Sequence, residues 1–242
     1  MKKIPCPVAA AAKIHPESAA LISGNFSLSY AAFDAAIAQA VHSLQQAGVS
    51  SGRRVALLAD NSSELPVMFW GLFRLGAVAC PINPRLPVDT VIKYIDRIRC
   101  RFLLHASGRI PECAGVERLH FTLADVLDSR PDSRQKTAAA RLSHEQDATI
   151  VATSGTTTIP KAVLHTFANH YFNALGSNEN IELQPGDRWL LSLPLYHVGG
   201  IGILFRTMLA GATVVVPDRN EDVASCISRY SLTHLSLVPT QL

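Results

Sequence analysis

The sequence predicts an α/β protein with largely parallel sheets and helices on the sheet faces. Two observations lead there. Short apolar runs suited to buried strands alternate with longer segments whose apolar residues recur at helical spacing, and the alternation resumes after a single interruption. The chain has 242 residues, which at roughly 150 residues per domain is one large domain or two small ones.

The elements follow in order. Tyr30, Phe33, Ile37, Val41 and Leu44 form one helical stripe, with Ser29 to cap its start and Gly48 to end it. Arg54 to Ala59 (RVALLA) reads as a buried strand. Asn61-Ser62-Ser63 opens a second helix with Leu65, Met68, Phe69, Leu72 and Phe73 on one face, and Pro66 fits if it lies in the first turn. A strand at 77–82, a helix at 88–98 and a strand at 102–105 come next. Between Ser107 and Gln146 apolar residues thin out, and Ser129 to Lys136 (SRPDSRQK) reads as a surface loop or linker. The second run comprises a strand at 148–153, a Ser/Thr/Gly turn, a helix from about Leu164 to Leu175, a strand at 189–193, and a Gly-rich loop with a helix to Leu209. A strand at 213–216, a helix at 221–229 and a strand at 233–238 complete it. No internal repeat is present. The sequence therefore divides into a portion 1–147, loop-rich at 107–146, and a portion 148–242. It stops at Pro239-Thr240-Gln241-Leu242, directly after a predicted strand and without a closing polar tail, which is the pattern expected of a truncated chain.

Composition excludes several function classes. The formal net charge is +3 and charged residues are 17%, against about 25% in a typical soluble domain, so bulk charge gives no reason to expect nucleic-acid binding. The densest basic stretch, Arg97 to Arg141, also carries Glu112, Glu117, Asp125, Asp128 and Asp132 and reads as a mixed solvated surface. The uncharged, strongly apolar run Trp189 to Phe205 is interrupted by Pro194, His197 and Gly199-Gly200 and falls short of the roughly 20 residues of a membrane span. Lys2-Lys3 and the Ala-rich stretch imitate a signal peptide, but Pro5 and Pro7 break the apolar segment and Lys13, His15 and Glu17 follow at once. The five cysteines are odd in number and have no close pair, so the expected compartment is the cytoplasm.

Three motifs fail on context. Gly48 to Gly52 matches G-x-S-x-G, yet a nucleophile elbow needs a strand before and a helix after, and the predicted order is reversed. Gly199-Gly200-Ile201-Gly202 lacks the third glycine of a dinucleotide fingerprint, and no Walker A sequence occurs. His165 and His170 are five apart with no carboxylate between them, and read as helix-surface histidines rather than a metal site.

The segment with specific chemistry is Thr153 to Lys161 (TSGTTTIPK), between a predicted strand and a predicted helix. One glycine and five hydroxyl residues offer backbone N–H and O–H donors to an anion, an adjacent helix start would add a positive dipole, and Lys161 adds a full charge. Pro160 restricts Ile159 to extended geometry. An ordinary Ser/Thr-rich turn is the alternative. Some 30 residues on, Pro194-Leu195-Tyr196-His197-Val198-Gly199-Gly200 follows a strand, where α/β proteins place ligand loops.

Together these motifs resemble the adenylate-forming superfamily of acyl-CoA synthetases, peptide-synthetase adenylation domains and luciferases. That family has a T-S-G-[ST]-T-G-x-P-K phosphate loop and a downstream P-[LM]-[FY]-H-x-x-G segment. The phrases KAVLHTFANH, DRWLLSLPLYHVGGIGILFRTMLAGA and LTHLSLVPTQL are most similar to the members that activate 2-succinylbenzoate in menaquinone biosynthesis. The resemblance covers nearly the whole chain as an N-terminal adenylation domain, with the C-terminal part and small domain lying beyond Leu242. It implies an ATP-dependent, AMP-forming acid–thiol ligase that uses ATP, Mg²⁺ and coenzyme A. It implies that Thr153, Ser154, Gly155, Thr156, Thr157 and Lys161 bind the phosphates, with Lys161 catalytic. His197, also catalytic, and Gly199, Gly200 and Arg206 fall to the acyl substrate. For Arg206 two accounts stand: it points outward or pairs with a structural carboxylate, or it neutralises the second carboxylate of a dicarboxylic acid. His197 is either an acyl-pocket residue or a packed loop histidine. Thr158 departs from the pattern, standing where the family has glycine, and a branched Cβ is disfavoured if the loop needs a positive φ there. A synthetase for another aryl or fatty acid, and a non-catalytic nucleotide-binding module, are the alternative readings.

Overall fold

The computed structural model describes residues 3–105, 112–119, 141–153 and 160–239. In chain order the elements are β1 (Lys3–Pro5), α1 (Pro7–Ile14), β2 (Ala19–Ser23), β3 (Phe26–Ser29), α2 (Tyr30–Gln46), β4 (Arg54–Leu58), α3 (Glu64–Leu75), β5 (Val78–Ile82) and α4 (Val88–Arg97). Then come β6 (Phe102–His105), β7 (Glu117–Leu119), β8 (Arg141–Ser143), β9 (Asp147–Thr153), β10 (Lys161–Thr166), α5 (Phe167–Asn178), β11 (Arg188–Leu190), α6 (Val198–Ala210), β12 (Thr213–Val216) and α7 (Val223–Tyr230). They form a six-stranded sheet ordered β10-β9-β5-β4-β6-β7, a four-stranded sheet ordered β11-β12-β2-β3, and a small β1-β8 pair. Only β10 in the large sheet and β3 in the smaller one run antiparallel to their neighbours. Each of these two sheets draws strands from both sides of residue 147.

The two-residue period of the strands sorts their side chains into layers. In β4, Val55 and Leu57 join the main core while Ala56 and Leu58 face a second cluster under α4 with Tyr94 and Ile95. In β12, Val214 and Val216 enter that same main core while Val215 packs with Cys226 and Tyr230 of α7. The main core thus lies between the two sheets and is filled by α2, α3, α5 and α6, with α4 and α7 on the outer faces. Because α3 is enclosed on all sides, its apolar residues are not confined to a stripe: every residue from Leu65 to Arg74 is buried. Arg74, the charged exception, is paired with Asp34 of α2. Trp70, Phe73, Phe167 and Phe205, from three different helices, meet with ring centroids 5.1–6.4 Å apart.

Local rules set most boundaries. Ser29 Oγ accepts from Ala32 N and starts α2, and the chain turns after it at Gly48, where φ is 78°. Pro66 falls in the first turn of α3. Four expectations are corrected. The helix expected from Leu164 begins at Phe167, because Lys161–Thr166 form an edge strand antiparallel to β9 and Thr166 and Asn169 make a reciprocal capping box. The expected Gly-rich loop is helical: Gly199, Gly200 and Gly202 lie in α6. The strand expected at 233–238 is reduced to one bridge, His234 to Trp189. Residues 3–29, read only for a signal peptide, contain β1, α1 and the β2–β3 hairpin. Pro7 does not interrupt α1 but occupies its first turn, where the missing N–H costs nothing. Within 107–146, β7 and β8 are present, while Ser129 to Lys136 lies outside the described residues.

Candidate active site

The phosphate-loop candidate emerges at the C-terminal end of β9, the end at which open α/β sheets bind ligands. Thr153 closes β9 and Lys161 opens β10, and the two are direct partners across the antiparallel ladder. Both are exposed. Ser154, Gly155, Thr156, Thr157 and Thr158 lie outside the described residues. The ladder register holds a hydroxyl and an ammonium side by side at the mouth of the Ser/Thr loop. One expected contribution is withdrawn: β10 separates the loop from the next helix, so the dipole of α5 is directed at Thr166, not at the loop.

The second motif sits where β11 gives way to α6. Leu191 to Tyr196 is irregular backbone, and His197 is the N-cap of α6, exposed and edge-on to Tyr196 at 4.8 Å between centroids. Its side chain makes no cap bond, which leaves the imidazole available to a ligand. Gly200 has a steric reason to be glycine. A Cβ there would lie 2.3 Å from Pro194 O and 2.7 Å from Leu193 O, so the start of α6 presses directly on the backbone of the motif. Gly199 is less confined, its nearest neighbour being Leu193 Cδ1 at 3.0 Å.

Arg206 lies further along α6, half-buried, with its guanidinium carbon 5.6 Å from the centre of the Trp189 ring. Nε is buried without a hydrogen-bond partner, and among the described residues no carboxylate pairs with the guanidinium. Burial pulls its pKa below the usual arginine value. Among the described residues, then, the account in which it pairs with a structural carboxylate finds no partner. A half-buried cation without a counter-ion is what an anionic ligand group would complete.

His165 and His170 are not helix-surface residues. His165 is on β10, and His170 is buried, with Nε2 2.8 Å from Thr149 Oγ1 and its ring stacked on Phe205 at 5.2 Å. Among the described residues no group of three His, Cys, Asp or Glu side chains is placed to hold a metal, and no helix is long and apolar enough to cross a membrane. Gly48 to Gly52 joins α2 to β4, the reverse of a nucleophile elbow. The site's motifs are linked through packing: α5, which follows β10, lies against α6 through Phe167 and His170 on Phe205, and Asn178 Nδ2 donates to Arg206 O at 3.0 Å.

Sequence reasoning missed Asn61, which precedes α3. Its Nδ2 donates to Leu191 O (3.1 Å) and Leu193 O (3.0 Å), and its Oδ1 accepts from Leu195 N (2.9 Å). An Asn after a strand and before a helix reads as a turn or cap residue. Nothing local reveals partners that lie 130–134 residues away.

A hydroxyl-rich segment ending in lysine between β9 and β10, at the carboxyl end of a largely parallel sheet, and a histidine at the start of α6 are what an α/β domain with ligand loops at its carboxyl edge presents. The chain belongs to the AMP-binding enzyme family, whose profile matches residues 8–242. It is 32% identical over 234 residues to the 2-succinylbenzoate–CoA ligase of Bacillus licheniformis, covering 96% of this chain and 48% of that protein. It is 35% identical over 201 residues to that of Salmonella typhimurium, covering 81% and 40% respectively. The chain thus spans about half the length of these relatives. Among solved structures it matches the o-succinylbenzoate CoA synthetase of Bacillus subtilis in complex with the acyl-adenylate intermediate, with a TM-score of 0.87, 30% identity, and coverage of 99% of this chain and 63% of that one. The same Bacillus subtilis enzyme in complex with ATP and magnesium ion matches with a TM-score of 0.87 at 28% identity, covering 99% of this chain and 65% of that one.

Proposed function

We propose that the chain is part of an ATP-dependent, AMP-forming acid–thiol ligase that activates 2-succinylbenzoate as its acyl-adenylate and passes the acyl group to coenzyme A in menaquinone biosynthesis. The observation that carries this reading is the pairing of Thr153 with Lys161 at the mouth of the Ser/Thr loop, in a fold matched by a synthetase bound to that acyl-adenylate.

The chemistry explains the residues. A carboxylate oxygen must attack the α-phosphorus of a polyanion, and the P–O bond to the departing pyrophosphate breaks. The site must hold two anions in line and stabilise the charge that develops. Thr153, Ser154, Gly155, Thr156 and Thr157 donate hydrogen bonds to the β- and γ-phosphates, and Lys161 supplies a positive charge. The donor set fits a polyphosphate. Mg²⁺ neutralises phosphate charge, and such ions are bound largely through substrate phosphates and water with few protein ligands. His197 contacts the carboxylate end of the acid, Gly199 and Gly200 let the substrate and the motif backbone approach α6 closely, and Arg206 neutralises the second carboxylate. The thiol of coenzyme A then attacks the acyl carbon and AMP leaves. The cytoplasm is the proposed compartment, supported by the five cysteines, all free thiols.

ATP–pyrophosphate exchange tests the reading in protein expressed from the complete coding sequence. Exchange driven by 2-succinylbenzoate, and not by benzoate or fatty acids, is expected. Exchange driven only by another acid would replace the substrate, and none with any acid would leave a nucleotide-binding module.

A further inference from the structure

The segment that carries His197 belongs to no strand or helix, and besides Ser192 Oγ, which donates to Ser236 O, its backbone ties are few. After Leu190 the chain leaves β11, and Leu191 to Tyr196 is neither strand nor helix. Leu191 N still reaches Val215 O at 2.8 Å, and His197 N closes a turn onto Pro194 O at 3.0 Å. Between those two ties Pro194 has no N–H to offer. The carbonyls of Leu191 and Leu193 and the amide of Leu195 depend on a partner from elsewhere in the chain. That partner is the carboxamide of Asn61, which satisfies all three. Both of its N–H donors and its oxygen are engaged, so the side chain is held in a single orientation.

The placement gives these bonds a functional meaning. Asn61 follows the carboxyl end of β4 in the six-stranded sheet, and its partners follow the carboxyl end of β11 in the four-stranded sheet. One side chain therefore joins the two sheets at the edge where the ligand loops emerge. The same backbone is also pressed by Gly200, whose Cβ, if present, would collide with Pro194 O and Leu193 O. The motif is thus held by two contacts that flank His197 in sequence: Asn61, which reaches Leu191 to Leu195 on its upstream side, and Gly200, three residues downstream.

We infer that Asn61 is a positioning residue: by fixing the Leu191–Leu195 backbone it sets where the His197 imidazole stands relative to the substrate carboxylate. This rests on the acyl-pocket role proposed for His197. Asn61 touches no substrate and acts only through the segment it holds. A displacement on the order of 1 Å at a reacting centre is enough to cost roughly 100-fold in rate.

The test is a double-mutant cycle in protein expressed from the complete coding sequence. Asn61→Ala is expected to lower the rate of adenylation by roughly 10–100-fold, with the KM for ATP unchanged within about twofold. Asn61→Asp keeps the shape and the acceptor but turns an oxygen toward two carbonyls, and is expected to be at least as impaired. The decisive arm is Asn61→Ala combined with His197→Ala, which should be no slower than His197→Ala alone, because one effect passes through the other. Multiplying effects, or an equal rise in the KM for ATP, would make Asn61 a general structural residue and overturn the inference. A second readout is independent of activity: the imidazole NMR signal of His197 should shift in Asn61→Ala while those of His15 and His42 stay in place. An unmoved His197 signal overturns the inference even if no acid drives exchange, and a moved one in a protein without exchange supports it while the ligase reading falls.

Discussion

His170 sets an acid limit on the fold. Its imidazole is buried between β9, β10 and α6, and burial, with a smaller contribution from nearby His165, holds its pKa down at about 3 from the ordinary 6.5. The unfolded chain therefore takes up a proton that the folded chain refuses. Stability from this group is intact above pH 6.5 and is lost progressively as the pH falls from 6.5 toward about 3. With the unfolded form titrating at 6.5, lowering the pH from about 7.5 to about 5.5 costs about 1.4 kcal/mol, and each further unit about as much again. His170→Gln removes the titration and leaves a polar group able to reach Thr149 Oγ1. Urea unfolding of both proteins at the two pH values, followed by circular dichroism, isolates the term. The wild type should lose about 1.4 kcal/mol more than the variant over this interval. Equal losses in the two proteins would refute the argument, since His170 would then be protonated in the fold or solvated within it.

Three further predictions come from the site. Lys161→Ala should slow adenylation while shifting the melting temperature little, because an exposed side chain at a strand end contributes almost nothing to the core; matched losses of stability and activity, read by thermal melting and exchange kinetics, would count against a role for Lys161 at the phosphates. Arg206→Ala should raise the KM for 2-succinylbenzoate by about 10–100-fold, the worth of a charge-assisted hydrogen bond of about 1.5–3 kcal/mol, and spare the KM for ATP. An unchanged acid KM would remove Arg206 from the pocket. Gly200→Ala should destabilise the protein by about 1–3 kcal/mol as α6 is forced off the Pro194 carbonyl, with the loss visible in the urea midpoint; a neutral effect would show that the α6 start is not in contact with the motif.

Much of the fold was legible because its signals are local. The stripe of Tyr30, Phe33, Ile37, Val41 and Leu44, the apolar run of β4 and the capping of α2 by Ser29 depend only on neighbours in sequence. Where the reading failed, a competing local signal won. The helix read from Leu164 began three residues early, because Leu164–Thr166 end the edge strand β10, whose pairing partners come from β9 and not from neighbours in sequence. The glycines of α6 looked like a loop because Gly200 answers to Pro194 O, a close approach of the preceding turn onto the helix start that residue identity alone does not reveal. Pro7 looked like a breaker because its place at the first turn of α1 could not be told from a place within it. The site divides in the same way. Thr153, Lys161 and His197 are visible as motif residues, but the antiparallel ladder that pairs the first two, the absence of a carboxylate beside Arg206 among the described residues, and the grip of Asn61 on the Leu191–Leu195 backbone are properties of the assembled sheets.

The central claim is the chemistry of activation, and its most direct measurement is the product balance of one turnover. With ATP, 2-succinylbenzoate and coenzyme A, protein expressed from the complete coding sequence should yield AMP and pyrophosphate in one-to-one proportion with 2-succinylbenzoyl-CoA. Omitting coenzyme A should leave the acyl-adenylate bound, detectable by mass spectrometry after quenching. Thioester formed together with ADP and phosphate, or formed without any acyl-adenylate, would contradict the account.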